Sequence, residues 1–196
     1  MSKLLATFIL VFSVVGFARG QEVMEPRSGT KFATKNGDIS LLGVGLRTKT
    51  IARVKVYAVG LYVADSAISG ALKGKAGSPE LYRELIDGDF KKTIVMKFLR
   101  DVSTGQIRDA FNESMKGVGG RSQEWINYFT EIRSGQECVI SWIPGVGLTT
   151  KVAGAEKPPI NEKALASAVF AIWLGVKPVQ DDLKKDLVSR SVDLLK

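Results

Sequence analysis

The hydrophobic pattern of this chain is densest between residues 39 and 64. Residues 39–48 (ISLLGVGLRT) and 52–64 (ARVKVYAVGLYVA) are rich in Val, Ile, Leu and Tyr, and from 56 to 64 no charged position intervenes. Apolar runs of β-branched and aromatic residues predict two strands there. A strand that is apolar on both faces must be covered on both faces, by protein or by a bound apolar ligand. Arg47 stands at the end of the first run, just before the chain turns into the second. A guanidinium at the mouth of an apolar layer is a candidate anchor for an anion.

The flanking sequence predicts the walls around that pair. Residues 21–29 are polar and predict a loose start, residues 29–33 a short strand, and Asn36-Gly37 a hairpin turn into residues 39–48. Asp65-Ser66 predicts the cap of a short helix over 67–73 that ends in GKAG. Ser78-Pro79-Glu80 starts a second short helix to Ile86. Residues 91–100 (KKTIVMKFLR) read as a strand. Ser103-Thr104 open a helix to about Lys116 with Ile107, Ala110, Phe111 and Met115 on one face, and GVGG at 117–120 breaks it. A further helix over 122–133 presents Trp125, Ile126, Phe129 and Ile132 on one side.

Residues 137–144 and 147–152 predict a hairpin about Pro144-Gly145. After Pro158-Pro159 and Asn161 a largely apolar helix runs to Leu174, and an amphipathic one covers 179–195. Strands, then helices, a hairpin and more helices predict an α+β domain: a large, mainly antiparallel sheet with helices layered on a face. A ligand cavity would lie between the sheet and that layer, where two apolar surfaces need not mesh everywhere.

Composition narrows the chemistry. The 196 residues suffice for one domain with a sizeable core. The chain has no histidine, which removes His-based triads, His general bases and His metal ligands together. Cys138 is the only cysteine, so no intramolecular disulfide forms, and in QECVISWI it reads as a small buried residue rather than a nucleophile. Neither GxxxxGK[ST] nor GxGxxG joins a strand to a helix, so no nucleotide is expected, nor any other cofactor or metal. The net charge is +8, but basic residues are mixed with acidic ones and no basic run is interleaved with aromatics, so no nucleic-acid partner is expected. The excess is read as a solvated surface that still favours anionic ligands or lipid surfaces.

The amino terminus reads as an address. Lys3 is followed by an apolar run over residues 4–17, then Ala18-Arg19-Gly20 with small residues before Gln21. This fits a secretory signal peptide over 1–20, cleaved after Gly20, and predicts an exported protein, periplasmic or secreted, whose residues 21–196 form a single domain without a stable membrane span. An uncleaved anchor and an organelle-targeting segment are the alternatives. Loss of Lys3 and Arg19 would leave a charge of +6.

GVGLRTK (43–49), VKVYAVGLYV (54–63), STGQIRDAFNES (103–114) and INEKALASAVFAIWLG (160–175), in this order and spacing, resemble the chalcone-isomerase-like family over most of residues 28–195. The resemblance implies an open-faced β-sandwich, and the signal-like start is similar to non-plant, exported members. The family's plant enzymes close a chalcone's phenolate onto its enone, using an arginine after the first sheet strand, a threonine in the long strand and a tyrosine in the following helix. Its ligand-binding members hold fatty acids, with the arginine and a strand tyrosine taking the carboxylate. Carried over, Arg47 matches the arginine and Tyr57 stands where the enzymes have threonine. With TGQ (104–106) aligned, Arg108 stands where they have the helix tyrosine.

Those departures imply non-catalytic binding of a fatty acid or similar apolar carboxylate, with Arg47 and Tyr57 at the head group and Thr48, Arg108 and Phe111 beside the ligand. The alternative is an intramolecular lyase of chalcone isomerase type with Arg47 as its electrophilic anchor. Physical chemistry favours the first. A carboxylate in an apolar slot must be paired and hydrogen-bonded, and Arg offers a planar fork of donors to which Tyr adds a neutral one. An acyl tail adds about 0.8 kcal/mol per buried methylene. Isomerase chemistry would need several donors steadying an enolate oxygen, and Arg47 and Tyr57 alone are few.

Overall fold

The computed structural model describes residues 21–49 and 53–196. The signal segment, and with it the expected cleavage after Gly20, lies outside the described residues, as does the first residue expected of the second long strand. Two short strands, β1 (Glu22–Met24) and β2 (Lys31–Ala33), pair as a separate antiparallel hairpin. The main sheet has seven strands, each paired antiparallel to its neighbour in sequence. They are β3 (Lys35–Asn36), β4 (Ile39–Lys49), β5 (Val54–Ala64), β6 (Lys92–Phe98), β7 (Glu137–Ile143), β8 (Gly147–Val152) and β9 (Ala155–Ile160). Helices α1 (Asp65–Ser69) and α2 (Pro79–Asp87) join β5 to β6, and α3 (Thr104–Ser114) and α4 (Ser122–Asn127) join β6 to β7. After β9 come α5 (Lys163–Leu174), α6 (Asp181–Asp186) and α7 (Ser191–Leu194).

This is the α+β, open-faced architecture expected, and burial explains it. Val59, Leu61 and Val63 of β5, Ile94 and Met96 of β6 and Ile140 of β7 meet Leu165, Val169, Phe170 and Trp173 of α5 in the main core. The other face of β4 and β5 is also apolar, and the β1–β2 hairpin covers it with Phe32, packed on Leu41, Val44, Ala58 and Tyr62. A Cβ at Gly60 would lie 2.9 Å from the Phe32 ring, so glycine is what lets the hairpin seat. No helix among the described residues is long and apolar enough to cross a membrane.

Several boundaries differ from the sequence expectation. Residues 21–29 are not loose: β1 lies there, and buried Glu25 accepts from Arg27 Nε at 3.0 Å and the Ser28 amide at 2.7 Å. Arg27 also pairs with Asp182 and Asp186, fastening the hairpin to α6. The β3–β4 turn falls on Gly37 and Asp38, one residue later than expected, with φ of +60° at Gly37. Asp65 opens α1 rather than capping it, and Ala64 holds the cap position with no side-chain bond. Ser78 and Ser103 do cap α2 and α3, the latter in a full capping box with Gln106. The helix expected over 122–133 stops at Asn127, because Val102 and Ile132 form a backbone bridge that needs the following residues extended.

Pro158-Pro159 lies inside a strand. β9 is the sheet's outer strand, and its register with β8 skips between Leu148 and Thr150, so the prolines occupy an irregularity where no ladder amide is required. The amphipathic run over 179–195 is two short helices rather than one. The break lets the Arg190 amide donate to Leu42 O at 3.0 Å, closing part of the exposed edge of β4.

Candidate functional site

A bulge decides where Arg47 points. Leu41 pairs with Tyr62 but Gly43 with Leu61, so Leu42 is an extra residue in β4. Side chains alternate along a strand, so one inserted residue reverses every later one. Leu41 and Val44 therefore both face the β1–β2 hairpin, while Leu42 joins the main core. Gly43, Gly45 and Arg47 fall on the helix side. There α6 and the residue that follows it lie directly on β4: a Cβ at Gly43 would be 2.5 Å from Leu187 O, and one at Gly45 2.5 Å from a Leu183 methyl. The two glycines of GVGLR thus admit the carboxy-terminal segment to contact. Arg47 Nη1 donates to Val179 O at 3.0 Å and to Gln180 Oε1 at 3.2 Å.

In front of Arg47 lies a cavity of about 630 Å³ between the sheet and the α3 and α5 walls, a size usual for small-molecule sites. Tyr57, Met96 and Phe98 line it from the sheet, Ile107 and Phe111 from α3, and Ile172 and Trp173 from α5. The surface is largely apolar. Phe111 stacks within the aromatic cluster that holds this wall, its ring centre 4.6 Å from Phe129 and 4.9 Å from Trp125. Lys49 and Arg100 stand at the rim on the sheet side, and Asp109 and Glu113 on the α3 side, all exposed.

Arg47 and Tyr57 are direct cross-strand partners. The Tyr57 hydroxyl oxygen accepts from Trp173 Nε1 at 3.1 Å, so its own proton is available to a further acceptor. Burial pushes this hydroxyl above its ordinary range, against the opposing pull of the Trp173 bond and the Arg47 charge. It therefore stays protonated at neutral pH, as a donor. Among the described residues no carboxylate lies within ion-pair distance of Arg47. Its guanidinium bonds are to a carbonyl and an amide, both neutral.

Of the residues picked from sequence, Arg47, Tyr57 and Phe111 come together on this cavity, and Thr48 and Arg108 are not among its lining residues. The Thr48 amide donates to Gln180 Oε1 at 3.0 Å. Arg108 donates to Phe129 O at 3.0 Å and Asn127 O at 2.9 Å, tying α3 to the end of α4. Tyr62 packs on the opposite face, where its hydroxyl donates to Ala33 O at 2.9 Å and burial pushes it up to about 12. Cys138 is a buried core residue whose thiol burial also pushes up. Trp173 is both a core residue and a wall of the cavity. Gln180 was missed, since only the fold brings it to Arg47 across 132 intervening residues.

A model of the family described as Chalcone isomerase-like matches residues 21–189. The chain is 34% identical over 176 residues to chalcone isomerase-like protein 1 of Humulus lupulus, covering 78% of this chain and 82% of that one. It is 24% identical over 208 residues to fatty-acid-binding protein 2 of Arabidopsis thaliana, covering 90% of this chain and 52% of that protein, about half its length. The structure superposes on the crystal structure of a second Arabidopsis fatty-acid-binding protein with a TM-score of 0.76 at 21% identity, covering 89% of this chain and 99% of the other.

Proposed function

The chain belongs to the chalcone isomerase-like family, and on that premise we propose that it binds a fatty acid, or a similar apolar carboxylate, between its sheet and its helices without transforming it. The observation that carries this reading is the Arg47 guanidinium beside a largely apolar cavity, with neutral partners alone. A cation so placed costs free energy unless an anion meets it, and the cavity leaves room for one with a long apolar tail. The carboxylate takes the remaining Arg47 donors and the Tyr57 hydroxyl proton, and the tail lies among Met96, Phe98, Ile107 and Phe111. The tail supplies affinity, and the Arg–Tyr pair supplies the choice of head group.

The lyase alternative draws less support. The α3 position that the enzymes fill with tyrosine is Arg108 here, which donates through Nε to Phe129 O and through Nη2 to Asn127 O and does not line the cavity. Export by residues 1–20 with cleavage after Gly20 belongs to the same proposal, as in non-plant members, and amino-terminal sequencing of the mature protein tests it. Native mass spectrometry of the purified protein tests the binding: it should carry fatty acid, and Arg47→Ala should carry less. Equal loading of the two, or none after incubation with excess fatty acid, overturns the reading.

A further inference from the structure

Gln180 is bonded at both ends of its amide. Oε1 accepts from Arg47 Nη1 at 3.2 Å and from the Thr48 amide at 3.0 Å, and Nε2 donates to Leu46 O at 3.1 Å. One side chain thus answers an acceptor and a donor on the open edge of β4, two residues apart, while it fixes the guanidinium between them. A glutamate has the same reach and would be the more obvious partner for an arginine. It could not satisfy this edge, because a carboxylate has no hydrogen to offer Leu46 O. The β4 backbone therefore selects the neutral side chain. The nearest sequence carboxylate that makes an ion pair, Asp182, is drawn to Arg27 at 3.3 Å.

Resting on the fatty-acid reading, we propose that Gln180 is the positioning residue that sets head-group selectivity. It holds Arg47 in place through a neutral amide and so keeps the positive charge unspent for an incoming anion. The site then takes a fatty acid in preference to the alcohol of the same chain. With glutamate at this position the guanidinium would still be bonded through a side-chain oxygen, but its charge would be met from within, and a second carboxylate would be repelled. The tail contacts would be untouched.

Competition against a fluorescent fatty-acid probe gives affinities for a saturated fatty acid and its matching alcohol in wild type, Gln180→Glu and Gln180→Met, with thermal melts beside them. In Gln180→Glu acid affinity should fall on the order of tenfold or more, and alcohol affinity stay within about twofold. Gln180→Met leaves Arg47 held by the Val179 carbonyl alone, with its charge still unmet, so acid affinity should fall about threefold with the alcohol unchanged. This second variant carries the test if the first does not fold. Acid affinity unchanged in the variants, or acid and alcohol falling together, would make Gln180 only a clip on the strand edge and overturn the inference. Wild type that binds neither ligand overturns the fatty-acid reading itself; wild type that binds the alcohol as tightly as the acid overturns the selectivity alone.

Discussion

Arg47 and Lys92 are both cations set inside this fold with neutral oxygens as their hydrogen-bond partners, and they differ in what lies in front of them. Lys92 is fully buried, and its ammonium donates to Ile86 O at 2.6 Å and Gly88 O at 3.1 Å, at the end of α2. Phe90 and Phe170 close over it, their ring centres 5.3 and 5.0 Å away. Burial first, and the Lys163 charge second, bring its pKa down to about 7. Arg47 is half-buried and looks onto a cavity. A sealed site can hold a lysine because lysine is able to shed its proton; a guanidinium cannot, so its charge has to be met from outside. The residue type at each position matches the space available to it.

Exchanging the two roles should therefore fail in different ways. Lys92→Ala removes a packed stem and leaves Ile86 O short of its donor, and should lower stability by about 3 kcal/mol in denaturant unfolding. Fatty-acid affinity should not move, because Lys92 does not line the cavity. Arg47→Met should do the reverse: acid affinity should weaken by about 2 kcal/mol, roughly thirtyfold, while stability changes by less than about 1 kcal/mol. If both variants lose stability and binding together, the two cations belong to one cooperative core and the contrast between them disappears.

Much of this arrangement was legible in the sequence, and the rest was not for physical reasons. The apolar run of β5, the serine caps of α2 and α3 and the apolar face of α5 are local signals, and they reappear in the structure within a few residues. Arg47 stood out because a charge beside that run is anomalous. The bulge at Leu42 that turns Arg47 toward the cavity has no local signature, since GVGLR reads equally well without it. The same holds for β9: its hairpin turn is Ala153-Gly154, with φ of +49° and +87° where Asn-Gly would have been recognisable. Its two prolines also argue against a strand until the position at the sheet's edge is known. Gln180, Trp173 and the packing of Thr48 and Arg108 depend on pairings across the fold, which periodicity cannot express.

Acidity sharpens the same comparison. Lys92 is depressed from an ordinary 10.5 to about 7, so between those values the unfolded chain binds a proton that the folded one lacks. Stability should rise with pH across that window, by up to about 1.4 kcal/mol per unit, and the penalty is fully present below pH 7. The charges facing Lys92 are Lys163 on α5, which is itself lowered by burial and adds in the same direction, and Asp87, Asp89 and Glu84 around the end of α2, which oppose it. Denaturant unfolding at pH 7, 8 and 9 should show the rise, and Lys92→Met should flatten most of it. Lys92 does not line the cavity, so fatty-acid affinity should stay level over the same range. An unflattened slope in Lys92→Met would mean that Lys92 is charged in the native core.

The smallest effect concerns the hydroxyl beside Arg47. The Tyr57 oxygen already accepts from Trp173 Nε1 at 3.1 Å, and burial keeps its proton on. That proton either serves the ligand or serves nothing in the site, and Tyr57→Phe separates the two cases. In both, Trp173 loses its acceptor, and stability should drop by about 1 kcal/mol for a buried donor left unpaired. Only in the first does fatty-acid affinity fall as well, by about 1.5 kcal/mol or roughly tenfold, the low end for one hydrogen bond to a charged group. The expected result is that both fall. A variant that melts earlier yet binds acid as tightly as wild type would leave Tyr57 as a support for Trp173, and the head group would be held by Arg47 alone.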